Sequence, residues 1–502
     1  MPEPSVTPAP RRQRHAADGT ALALLVGGLW LASAGMLQWS VVRFRVPIVL
    51  TLLLCAVALA AWQARRATVR LGVTSVVLVL AGSAVLALAV PVFSYLPVGV
   101  EVWCLRLLAA GGLVCALALG PLRERVSPAL VAGLAAAIHV VLAAVTIVRD
   151  PAPKIDVWVT VQQAADALGR GENFYAMTWT GSPGIQDAFT YLPWTAVLLA
   201  PGRWLAGDVR WALLVWSLVL YAGIWALATS RPAPLDATYP VFDDDTPRRT
   251  PQTPVSTPGA ADRPRWVAAA AICLLAFVPG QLTQLDQAWT EPLLAAGLVW
   301  WAVLVRRGHP WWAVVPLALA CASKQHIAVV LPLLLLWRPF GARRAVATGA
   351  LAAALMAPWV LAGPRDFLDD TVVLLVGFHA IRFANTLYLL ALNVYGVTLP
   401  FWATGLAVLG TLATAGWLVW RRQPGLGELL RWVALVLLVA NLVNKQAFYN
   451  QFWLCACLVV LSWAAEAGRS AGGALQVTGR SPGRAPASAP ATDGSARPGP
   501  TR

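Results

Sequence analysis

"PALVAGLAAAIHVVLAAVTIV" occupies 128–148, and "KIDVWVTVQQAADALGRGENFY" follows at 154–175 after a short link. The first stretch carries no charge and has the length that crosses a bilayer core at about 1.5 Å per helical residue. The second has an apolar face at helical spacing from Ile155 to Leu168 and then reaches glycines, which suits a helix lying at the membrane interface. A lysine, an aspartate and two glutamines thus stand at the mouth of a membrane helix, and their presence there is what a function must explain.

The rest of the chain has the same character. Hydrophobic residues make up 58% and charged residues 12% of 502, mean hydropathy is +0.66, and there are 25 tryptophans. One soluble core cannot hide that much apolar surface, so the composition predicts an all-α polytopic membrane protein. Apolar segments predict about 12–14 spans, near 20–39, 46–63, 71–93, 103–120, 128–148, 209–229, 266–284, 287–305, 310–323, 325–337, 342–362, 400–420, 427–443 and 447–464. The stretch "HPWWAVVPLALACASKQHIAVVLPLLLLW" is too short for two crossings and too long for one, which predicts two abbreviated helices meeting at a polar apex inside protein or a wet cavity.

The net charge of +15 would suggest nucleic acid in a soluble chain. Here the arginines cluster between apolar segments (Arg65/Arg66/Arg70, Arg123/Arg125, Arg248/Arg249/Arg263/Arg265, Arg306/Arg307, Arg338/Arg343/Arg344, Arg421/Arg422), all on one side if each segment crosses once. They read as topology signals, with no nucleic-acid partner implied. Arg43 and Arg45, in the first outer turn, break that rule. The expected organisation is a cytoplasmic disordered tail (1–19), N-terminal transmembrane helices (20–148), an extracytoplasmic loop with interfacial helices (149–208), a further span (209–229), a cytoplasmic disordered linker (230–265), a C-terminal transmembrane bundle (266–466) and a cytoplasmic disordered tail (467–502). The N-terminal tail lacks an evident cleavage site and reads as retained. The seven cysteines lie in or beside apolar segments without metal or disulfide spacing.

Charge near the membrane is costly and calls for a reason. Arg106 and Arg431 can snorkel, Glu466 and Arg469 mark a helix end, and His139 reads as a core histidine bonded to a backbone carbonyl. Of 38 basic residues only three are lysine, Lys154, Lys324 and Lys445, and the topology puts all three at the outer interface. Two sit in Lys-Gln pairs, "ASKQHIAVV" and "VNKQAFYNQFW". A compact ammonium at headgroup depth suits the phosphate of a lipid carrier; the plainer alternative is three snorkelling lysines. Among outer carboxylates, Asp156 stands in the first turn of the interfacial helix, where the helix dipole would keep it ionised for work as a general base, and Glu291 stands at another outer turn. Asp150 and Asp286 read more simply as solvated loop charge. No phosphate-binding glycine loop, H-E-x-x-H or nucleophile elbow appears.

The order "DVWVTVQQAADALGRGENFY", then "FTYLPWTAVLLAP", then "QAWTEPLL", then a lysine at the tip of short helices resembles the C-type glycosyltransferases. Within these it is most similar to the polyprenol-phosphate-mannose-dependent mannosyltransferases of glycosyltransferase family 87, found in actinobacteria. The resemblance spans roughly Asp150 to Trp463. It implies a helical bundle in a bacterial plasma membrane, with both termini cytoplasmic and an extracytoplasmic active site. There, a sugar would pass with inversion from a polyprenyl-phosphate donor to a glycan or glycolipid acceptor. Asp156 would be the base. Lys324 and Lys445, with Gln325 and His326, would hold the departing phosphate; Glu291, Gln163, Tyr175, Tyr191, Asp286 and Gln446 would line the substrate side. No cofactor or metal is implied. The large loop usually follows the first span in that family and here follows the fifth. Mannose is the first expectation and arabinose the alternative. A lipid-linked-sugar flippase or other transporter is the competing reading, and a scaffold with a degenerate site a third.

Overall fold

The computed structural model describes residues 25–37, 43–65, 73–90, 92–230 and 262–473. The expected N-terminal tail, most of the expected linker and the expected C-terminal tail beyond Gly473 lie outside these residues, while 467–473 continue the last helix. Every regular element described is helical, as expected from the composition, and the chain is an all-α polytopic membrane protein. Five helices precede the large loop: α1 (Leu25–Leu37), α2 (Val46–Arg65), α3 (Val73–Ala89), α4 (Val98–Leu119) and α5 (Pro128–Arg149). The loop carries α6 (Asp156–Arg170), a 3-10 turn at Phe174–Ala176 and α7 (Trp194–Ala206), and α8 (Arg210–Thr229) re-enters the bundle. After the linker come α9 (Arg263–Ala276), α10 (Gln281–Asp286) and α11 (Glu291–Arg306).

The expected broken pair is present: α12 (Val314–Cys321), an apex at Ser323 and Lys324, a 3-10 turn at Gln325–Val329, and α13 (Val330–Leu336). Then follow α14 (Gly341–Ala362), α15 (Pro364–Leu368), a π turn at Asp369–Val373, α16 (Leu374–Gly377), α17 (Leu387–Tyr395), α18 (Phe401–Arg422), α19 (Leu426–Leu442) and α20 (Tyr449–Gly473).

Among the described residues seven helices are long and apolar enough to cross a membrane: α2, α4, α5, α8, α14, α18 and α20. The remaining expected crossings are shorter or interrupted. The span expected at 266–284 breaks at Phe277–Gly280, because Pro279 has no N–H to continue the ladder and Gly280 takes φ +98°. A side chain at Gly280 would also meet the Tyr449 ring at 2.5 Å, so the break and the packing of α20 against it need the same glycine.

α8, α9, α11 and α20 pack on one another at the centre, flanked by α3–α5 on one side and by α12–α14 and α18 on another. Small residues permit the close crossings, as is usual between membrane helices. A Cβ on Gly297 of α11 would lie 2.9 Å from the Pro316 carbonyl of α12.

The arginine links between spans and the three lysine segments separate to opposite ends. Arginine links meet one another: Arg123 lies 4.9 Å over the Trp266 ring, Arg307 donates to Ser230 Oγ at 3.0 Å, and Arg344 lies 5.4 Å over Trp311. Lysine-bearing segments also meet, with Leu192 N–H donating to Ser323 O at 3.2 Å and Ile381 N–H to Lys445 O at 3.2 Å. Arg43 and Arg45 belong to this second end, since Arg45 N–H donates to Asn385 Oδ1 at 2.8 Å; the exception to the arginine pattern is a feature of the fold.

Several expectations about single charges are corrected. Arg431 does not snorkel: it is 4% exposed, pairs with Glu466, donates to Gln63 Oε1 at 3.0 Å and stacks on Trp62. Glu466 therefore joins α19 to α20 and does more than mark an end. His139 is buried as expected, but its ring nitrogen Nδ1 faces the Gln281 amide at 3.5 Å and not a carbonyl.

Candidate active site

The lysine end of the bundle holds a cavity of about 1380 Å³. Its walls come from the 154–191 loop, the α10–α11 turn, the apex of the broken pair, the 374–383 segment and the turn before α20.

The loop is built by local rules that the opening stretch encodes. α6 begins after extended Ile155, places Asp156 in its first turn, and buries Val159, Val161, Ala164, Ala165 and Ala167. Gly171 ends it at φ +73°, the left-handed position that favours glycine. Asn173 Oδ1 then accepts the Tyr175 N–H at 3.2 Å and caps the next turn. α7 lies along α6, fixed by Arg203 to Asp166 at 2.7 Å and by Trp204 Nε1 to Ala165 O at 2.9 Å.

Asp156 lines the cavity. Its Oδ1 accepts the Val157 N–H at 2.9 Å, and among the described residues no lysine or arginine forms an ion pair with it. Burial raises the pKa of its carboxyl, opposed by that backbone hydrogen bond. Loss of solvent thus acts against the helix dipole, which the sequence reading expects to keep the group ionised. Gly184 backs the group, and a Cβ there would come within 3.0 Å of Asp156 Oδ2.

Lys324 also lines the cavity, at the apex of the broken pair. Its Nζ lies 2.6 Å from Glu291 Oε1, and Asn450 Nδ2 donates to the same oxygen at 2.9 Å. The Tyr191 ring sits 5.2 Å beneath the ammonium. Burial, with the fields of Asp156 and Glu291 added, raises the pKa of the Tyr191 phenol well above its ordinary value. Lys154 lines the cavity from the loop side, exposed and without a carboxylate partner among the described residues.

Gln325, His326, Tyr191 and Gln446 also line the cavity. Gln325 is partly committed to structure, since its Nε2 donates to Thr190 O at 3.0 Å. Five candidates do not line it. Gln163 clamps the loop through Thr180, donating to its carbonyl at 2.7 Å and accepting its N–H at 3.2 Å. The Tyr175 hydroxyl donates to Tyr191 O at 2.8 Å within a packed aromatic cluster. Glu291 is fully buried beneath Lys324. Lys445 donates to the carbonyls of Val376 and Phe378 at 3.0 and 3.3 Å and so holds the opposite wall in place.

Asp286 is fully buried and not solvated. It accepts from Tyr95 N–H at 2.8 Å and Ser94 Oγ at 3.0 Å, and burial together with the neighbouring Asp150 pushes its pKa up to about 7. Each of these five positions a group that does face the cavity.

Two contributions were missed. Lys154 lines the cavity though the sequence alone gives it no part there, and only Ile155 separates it from Asp156. The segment after α14 was passed over, yet it supplies an apolar wall through Leu374, Leu375, Phe378 and Phe383. Asp370 in that segment accepts the Phe189 N–H at 2.7 Å, and burial raises its pKa to about 6. The arginine pattern did carry a signal: 363–399 falls between two arginine links and so on the same face as 149–208.

The arrangement joins a carboxylate suited to accept a proton, two ammonium groups suited to an anion, and polar and apolar walls in one chamber. Among the described residues no three His, Cys, Asp or Glu side chains gather as a metal-ligand set. No protein-family model matches the chain, and no curated protein matches it.

Proposed function

We propose that the protein is an integral-membrane glycosyltransferase that moves a sugar, mannose or else arabinose, from a polyprenyl-phosphate donor to a glycolipid or cell-wall glycan acceptor on the outer face of a bacterial plasma membrane. The observation that carries this reading is the shared cavity: Asp156, Lys154 and Lys324 line it together, with an apolar wall at 374–383. The resemblance of the 150–463 region to C-type glycosyltransferases supports it.

In this reading the acceptor hydroxyl attacks the anomeric carbon, Asp156 takes the hydroxyl proton, and the bond from that carbon to the phosphate oxygen breaks. Partial burial makes Asp156 a stronger base than an exposed aspartate. The departing phosphate gains charge that Lys324 and Lys154 offset. Glu291 tempers Lys324, so that the phosphate can also leave. A polyprenyl chain stays in the membrane, so only a chamber with an apolar side wall serves both substrates.

Proteoliposomes loaded with radiolabelled polyprenyl-phosphate mannose, or arabinose, test this against transport. The expected result is label on an added glycolipid acceptor with release of polyprenyl phosphate. Label that remains on the lipid while the donor moves between leaflets would contradict it and support a flippase.

A further inference from the structure

Gln287 is fully buried, yet neither its side-chain oxygen nor its side-chain nitrogen has a partner among the described residues, and the residue lines the cavity. An amide shielded from bulk water and left unpaired is unfavourable until something pairs with it. Its position is built, not incidental. The Gln287 N–H is fixed by Thr283 O at 2.9 Å at the end of α10. Ala288 then takes φ +56°, a left-handed conformation that a non-glycine residue adopts only where surrounding structure enforces it. That bend carries the chain straight on to Trp289, which also lines the cavity and stacks on Tyr449 with ring centroids 5.4 Å apart and planes 29° apart. Asn450, which donates to Glu291 Oε1 at 2.9 Å, lines the chamber as well.

We propose that the α10–α11 turn is the sugar-recognition subsite, in which the Gln287 amide binds two neighbouring hydroxyls of the transferred sugar and the Trp289 indole receives an apolar face of its ring. The chemistry matches in detail. A primary amide offers an acceptor oxygen and two N–H donors side by side. A vicinal diol presents one hydroxyl that donates to the oxygen and a second that accepts from the nitrogen. A site with a buried amide also discriminates: a sugar lacking one hydroxyl leaves the amide unpaired again, which penalises that sugar far more than the loss of surface contact alone. Gln287 is then a specificity residue, distinct from the base and the phosphate-holding lysines. The inference rests on the transferase reading.

The test compares wild type and Gln287→Leu with whichever of the two sugars, mannose or arabinose, the wild type transfers, and with the single-deoxy analogues of that sugar on the same lipid phosphate. Leucine keeps the bulk and removes no bond within the protein, so thermal unfolding in detergent stays at or above the wild-type temperature. With the parent sugar, kcat/KM falls about 10- to 100-fold in the variant. With the analogue lacking a hydroxyl that Gln287 binds, wild type and variant converge. An equal penalty across all sugars, or none with any, overturns the subsite while leaving the transferase reading intact. No transfer by wild type with any sugar overturns both.

Discussion

At the scale of single residues, Gly184 controls the geometry of the proposed base. Its Cα faces the Asp156 carboxylate so closely that a Cβ would sit 3.0 Å from Oδ2 and 3.4 Å from Cγ, and the carboxylate would have to give way slightly. Gly184→Ala pushes the carboxylate aside without touching the bundle. Transfer should drop on the order of tenfold or more while thermal stability is preserved, because small displacements of a reacting group cost rate steeply. Activity equal to wild type in this variant would mean that Asp156 has no fixed catalytic position. Asp156 itself was legible in the sequence as the acidic first-turn residue of an outer helix, and Lys324 as a lysine in an arginine-biased chain. The functions of Gln163 and Tyr175 were not, because a sequence gives a residue's type without the direction in which its side chain points. Both bond within the loop that presents Asp156. Gln287 gave no signal at all: one amide among the several of "GQLTQLDQAWTE" is distinguished only by what surrounds it.

At the scale of elements, the broken pair α12–α13 and the start of α11 are locked by the Lys324–Glu291 pair. Glu291 is fully buried, and the Lys324 side chain is 11% exposed. Removing the lysine strands a buried carboxylate, for which a loss of about 3–5 kcal/mol is usual. Lys324→Met should therefore destabilise the protein strongly, and the double variant Lys324→Met/Glu291→Gln should recover much of the loss, as a double-mutant cycle of unfolding in detergent would show. Simple additivity would indicate that the two side chains do not interact. The double variant should still transfer sugar poorly, since the phosphate has lost a cation. The broken pair could be foreseen because its apolar stretch had the wrong length for one crossing or two. The break between α9 and α10 was hidden by an apolar run that continues through Phe277 and Val278, and only Pro279 and Gly280 marked it.

At the scale of the whole molecule, arginine links gather at one end and the three lysine segments at the other, so orientation and site location are one question. Engineered cysteines can decide it, because all seven native cysteines are buried. Glu172→Cys, on the loop beside α6, should react with a membrane-impermeant maleimide in intact cells. His309→Cys, next to the Arg306/Arg307 link, should react only after permeabilisation. The reverse pattern would place the cavity on the cytoplasmic side and exclude an outer-leaflet reaction. The gross division into spans and a large loop was legible because apolar runs and arginine spacing are properties of long segments. The cavity's far wall was not, because 363–399 mixes aspartates with short apolar runs and takes its structure from distant partners: the loop, α2, α14 and the turn before α20.

The most direct measurement is the pH dependence of kcat/KM for transfer from a polyprenyl-phosphate sugar, in wild type and in Asp156→Asn expressed to the same level. The base must be ionised, and burial raises its pKa, so the wild-type rate should fall as pH drops through a midpoint above the ordinary aspartate value of about 3.9. Asp156→Asn should lower the rate about 100- to 10,000-fold and abolish that limb, while donor binding persists. A variant that transfers at the wild-type rate with the same acid limb would contradict the assignment of Asp156 as the base.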